Sequence, residues 1–135
     1  PVLPHKERYE EIIDHKEKAD EMEKCIGDDI SDNRFIPYIQ LHEFEALLYS
    51  SNVGFEAYFS DKEQQQTKMI IDEYPNPEDI NNGSATAPSK RLERLIPGYS
   101  KVVFGACLAS DTGLDTIRLK CLRFNAWIEQ LETIA

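Results

Sequence analysis

The chain has 135 residues and a formal net charge of −10, with 15 Lys and Arg against 25 Asp and Glu. Hydrophobic residues make up 41% and charged residues 30%; that supports one domain with a core and excludes global disorder. The acidic balance argues against a nucleic-acid binder held by bulk charge, because phosphate binding wants the opposite sign.

Charge is uneven along the chain. Residues 1–33 carry 5 basic and 11 acidic side chains, whereas residues 88–135 carry 7 and 5. An anion-facing surface is therefore expected in the last third. Cys25, Cys107 and Cys121 are three in number and widely spaced. They read as free thiols in a reducing cytoplasm. No apolar run is long enough to cross a membrane. The absence of an initiator Met before Pro1 reads as a piece of a longer chain, with residues 1–33 a charged helix and turn and residues 34–135 the main body.

Pro4–Ile26 predicts one amphipathic helix, with Tyr9, Ile12, Ile13, Ala19, Met22 and Ile26 at helical spacing and Gly27 as its stop. Arg34–Leu41 predicts a strand, apolar and β-branched, with Pro37 favouring a sheet edge. His42–Tyr49, Val53–Phe59 and Asp61–Tyr74 predict helices. The run from Tyr74 to Gly83 is rich in turn formers, and the loop continues over Ser84–Pro88. Ser89–Ile96 predicts a helix, with Ser89 as its cap. Lys101–Leu108 reads as a strand or a buried helix. Leu114–Lys120 and Arg123–Ile134 close the chain as helices, with Phe124, Trp127, Ile128 and Leu131 spaced like core residues. The inventory predicts a mostly helical α/β or α+β fold with a small sheet. A lone strand leaves backbone groups unpaired, so neighbouring strands or a second copy of the chain are expected.

Two segments carry candidate chemistry. His42, Glu43 and Glu45 stand where a strand passes into a helix, a place that suits carboxylates and a hard cation. His42 is a candidate ligand or general base, and Glu43 and Glu45 are candidate metal ligands. The same residues also read as an ordinary acidic helix start. Ala46 excludes an HExxH zinc site. Lys90, Arg91 and Arg94 form a basic group near a helix start that suits phosphate, and Ser89, Lys90 and Arg91 are the candidate phosphate contacts; the alternative is a solvated helix face. No P-loop glycines are present, and no histidine lies near Cys121 to make a nucleophile pair.

The runs RFIPYIQLHEFEALLYS (34–50), YPNPEDINNGSATAPSKRLERLIPGYSKVVFG (74–105) and GLDTIRLKCLRFNAWIEQLE (113–132) resemble the C-terminal half of a bacterial family, domain of unknown function 4276. The resemblance implies a Toprim-like domain with a parallel sheet and an Mg²⁺-dependent carboxylate site built around His42, Glu43 and Glu45. It also implies a nuclease or phosphotransfer activity in bacterial defence, with nucleic acid and an ATPase as partners. The family's opening strand and its glutamate turn of the VEGxTE kind are not in this sequence. Phe104 and Leu122-Arg123 stand where polar or Pro-His residues are expected. A helical protein-interaction module without catalysis is the competing expectation.

Overall fold

The computed structural model describes residues 3–80 and 83–134. Among these the fold is all-helical, with seven α-helices joined by short 3₁₀ turns and no strand. The helices are α1 (His15–Ile30), α2 (Glu45–Leu48), α3 (Asp61–Glu73), α4 (Pro88–Leu95), α5 (Ala106–Thr112), α6 (Leu114–Lys120) and α7 (Leu122–Glu132). Two compact units form: one from the residues up to Leu41 with those from Trp127 onward, the other from His42–Ala126.

In the first unit the predicted long helix is broken. Lys6–Arg8 forms a 3₁₀ turn, and α1 begins only at His15. Asp14 sets that start, since its carboxylate accepts the N–H groups of Lys16 at 3.0 Å and Glu17 at 2.9 Å. The helix runs through Gly27 and ends at Ser31, which is left-handed at φ 52° and donates its N–H to Gly27 O. Arg8 ties the two pieces together through Glu21 at 2.8 Å and Asp28 at 2.7 Å.

The predicted strand Arg34–Leu41 is not a strand, and the small sheet of an α/β or α+β fold is absent among the described residues. The parallel sheet of a Toprim-like domain fails with it. The segment is a strap without regular secondary structure. Its Ile39 N–H donates to the Glu23 carboxylate of α1 at 2.7 Å. Tyr38 stacks on Trp127, with ring centroids 4.7 Å apart and planes at 16°. A carboxylate and an aromatic face thus take the place of a ladder partner.

The second unit holds the main core. Leu48, Tyr49, Phe55, Phe59, Ile80, Leu92, Ile96 and Leu108 are buried together. Phe55 stacks on Phe59 at 5.1 Å and meets Tyr49 at 5.5 Å. A smaller cluster joins Leu47, Ile117 and Cys121, with Phe124 against it. Burial pushes the Cys121 thiol up to about 12, against a contact with Ser50 that lowers it. Of the residues read as C-terminal core, Phe124, Trp127 and Ile128 are half-buried and Leu131 is exposed. The helix expected at Val53–Phe59 is a 3₁₀ turn over Asn52–Phe55, and Lys101–Gly105 winds as a π-turn leading into α5. Helix α3 matches its sequence pattern, opened by Glu63, whose carboxylate accepts the Ser60 N–H at 2.8 Å.

Helix α5 lies on the 3₁₀ turn at Gly54 closely enough to exclude a side chain there. A Cβ at Gly54 would stand 2.9 Å from Leu108 O and closer still to Thr112 Oγ1. The carbonyl belongs to a helix and cannot step aside. Gly54→Ala should therefore cost about 1–3 kcal/mol in urea unfolding, as overpacking does. An unchanged midpoint would show that the turn and α5 are not in this contact.

Candidate functional site

The HEFE run lies at the entrance to α2, but its side chains point in different directions. His42 is half-buried and holds φ 59°, a left-handed conformation uncommon for a residue with a Cβ. Glu43 turns to α4. Its carboxylate accepts the Ser89 N–H at 2.8 Å and the Ser89 hydroxyl at 3.0 Å. Helix α4 begins at Pro88, and Ala87 before it supplies no side-chain cap. Glu43 thus serves as the cap from another element, with its charge at the positive end of the helix. Ser89, expected as the cap, is the group being capped.

Glu45 is 1% exposed. Tyr99 donates its hydroxyl to Oε1 at 3.4 Å, and Lys101 Nζ stands 2.8 Å from Oε2. The lysine contact is an ion pair without hydrogen-bond alignment, since Oε2 has no aligned donor. Burial pushes the Tyr99 hydroxyl above the usual phenol range, and the Glu45 charge adds to this. Burial does the same to Tyr49, whose hydroxyl is enclosed without a hydrogen-bond partner among the described residues; Arg91 opposes the shift. Gly105 lets this group close up, because a Cβ there would meet Phe44 and the Tyr99 hydroxyl at 3.3 and 3.4 Å.

The predicted phosphate residues are also placed apart. Ser89 is held by Glu43. Lys90 pairs with Glu93 at 2.7 Å. Arg91 Nε donates to Thr86 O at 2.7 Å, and its guanidinium lies over the Tyr74 ring, 5.7 Å from the centroid. The three do not converge on one point through these contacts.

A second carboxylate cap escaped the sequence reading. Glu78 is wholly buried in the turn-rich run, and its two oxygens accept the N–H groups of Arg123 at 2.9 Å and Phe124 at 3.0 Å. These are the second and third residues of α7, whose backbone donors have no intrahelical partner. Asn76 holds the turn by accepting the Glu78 N–H at 2.9 Å. Asn81, the end of that NPEDIN run, and Asn82 lie outside the described residues. Tyr99 and Lys101 also went unread. The only local hint was a Tyr-x-Lys pair after Pro97-Gly98.

Magnesium usually takes several oxygen ligands and keeps near-octahedral geometry. Both oxygens of Glu43 are bound by Ser89, and Glu45 is paired with Lys101. Among the described residues no group of three His, Cys, Asp or Glu is placed to hold a metal. The side chains present do not fit an Mg²⁺ centre.

The arrangement defines a helical fold in which acidic side chains join elements at helix starts. The sequence profile of the family described as Domain of unknown function (DUF4276) matches residues 5–132, and the chain belongs to that family. The match covers nearly the whole chain and is not confined to a C-terminal half. No curated protein and no solved structure matches it.

Removing either cap exposes its role. Glu78→Ala removes the acceptor of two part-buried N–H groups and should lower unfolding stability by about 2–3 kcal/mol, the scale of lost hydrogen bonds to a charged acceptor. Glu43→Ala should cost less, since Glu43 is half-buried whereas Glu78 is wholly buried. Equal, negligible effects of both in chemical denaturation would contradict the capping assignment.

Proposed function

We propose that this helical region is a non-catalytic protein-interaction module. The observation that carries the reading is the use made of its acidic residues. Glu43 and Glu78 each place both oxygens on helix-start donors, and Glu45 is held by Tyr99 and Lys101. The most chemistry-like run in the sequence thus holds segments together. Large apolar side chains remain outside: Val102 is 84% exposed, Leu119 75% and Leu122 65%. Exposed apolar surface of this kind is what a protein partner covers, and a second copy of the chain is one such partner. The three free thiols suit a reducing compartment such as the cytoplasm. No helix among the described residues is long and apolar enough to cross a membrane.

One observation favours a second reading. Glu45 Oε2 is buried with no aligned donor among the described residues, and an incompletely satisfied buried polar group is a place where an ion can sit. In that reading the region belongs to an Mg²⁺-dependent nuclease or phosphotransfer enzyme of bacterial defence, acting on nucleic acid beside an ATPase, with further carboxylates from outside the residues described.

Calorimetry with Mg²⁺ and Mn²⁺, alongside a nuclease assay, separates the two. The module reading expects no saturable metal binding by this chain and no cleavage. Tight binding that Glu45→Gln abolishes, with the melting temperature retained, would replace it with the enzyme. Leu119→Lys and Leu122→Lys should leave stability within about 0.5 kcal/mol, as surface changes do, while weakening self-association in sedimentation.

A further inference from the structure

A shallow cleft of about 150 Å³ is lined by Gln66 and Ile70 of α3 and by Arg91, Arg94 and Leu95 of α4. Arg91 and Arg94 are three residues apart on α4 and so share a face. Neither guanidinium pairs with a carboxylate of the described residues, in a chain that carries −10 overall. Nearby Glu93 is taken by Lys90 at 2.7 Å.

Arg91 is also held in place. Its Nε is fixed by Thr86 O at 2.7 Å and its plane lies over Tyr74, which leaves the two terminal amino groups as unused donors. A guanidinium with its fork fixed and its donors unspent is suited to two oxygens of one anion. The Gln66 amide adds a neutral donor, and Ile70 and Leu95 make up the apolar part of the lining.

We propose that this cleft binds a phosphate group through Arg91 and Arg94. Its volume is below the roughly 300–1,000 Å³ of pockets that enclose drug-sized ligands, so it takes one tetrahedral oxyanion and not a whole nucleotide. The site keeps Arg91 and Arg94 of the basic group expected from sequence, adds Gln66 of α3, and leaves out Ser89 and Lys90, which are occupied by Glu43 and Glu93. It does not depend on the interaction-module reading.

The test titrates the full chain with inorganic phosphate at constant ionic strength, followed by calorimetry and by amide shifts along α3 and α4. Saturable binding is expected, with shifts at Gln66, Arg91 and Arg94. Arg94→Ala, an exposed change, should weaken it about tenfold without moving the melting temperature, the scale of one charge-assisted contact. Arg91→Lys keeps the charge but loses the fork, and should weaken it too. An oligonucleotide with a terminal phosphate, compared with one lacking it, identifies the source. Competition by the first alone assigns the site to a polymer end, and competition by neither assigns it to free phosphate. Phosphate binding no stronger than chloride, or unchanged in Arg94→Ala, would overturn the proposal.

Discussion

The second unit depends on two carboxylates that reach across the sequence to helix starts. Glu43 caps α4 from 46 residues away, and Glu78 caps α7 from 45 and 46 residues away. A helix start presents unpaired N–H groups and the positive end of the backbone dipole. A carboxylate satisfies both demands at once, and the bond is charge-assisted. The caps also fix position. With Ser89 tied to Glu43, α4 delivers Leu92 to the main core and Arg91 to Thr86 and Tyr74. With α7 tied to Glu78, Phe124 lies against Leu47, Ile117 and Cys121.

Glu45 shows the cost of building with charge. A buried carboxylate is expensive unless its oxygens are satisfied. Tyr99 and Lys101 answer this in part, and the small Gly105 lets them approach. Three acidic residues thus perform two tasks, each settled by what stands opposite: helix starts for Glu43 and Glu78, and a lysine with a tyrosine hydroxyl for Glu45.

Much of the helical content was legible in the residues themselves. Asp61–Glu73 carries its own start signal in Ser60 and Glu63, and Pro88 marks the first turn of α4. The strap was not legible. Arg34–Leu41 has the composition of a strand, but β-propensity describes a half-buried surface and not a guarantee of partners. Glu23 and Trp127 provide the burial and the acceptor instead. The partners of the HEFE run were not legible locally, because Ser89 and Lys101 are distant in sequence. Glu78 was hidden for the same reason: in a turn-rich run an acid looks solvated until its two amide donors are in view. Phe104 packs with Tyr58 and Tyr99, and the Arg123 N–H meets Glu78.

Native-state hydrogen exchange tests the capping account most directly. The amides of Ser89, Arg123 and Phe124 sit in first helical turns, where no intrahelical partner protects them. If Glu43 and Glu78 hold them, these three exchange as slowly as amides in the middle of α4 and α7. Exchange at the rate of an unstructured peptide at all three would contradict the account.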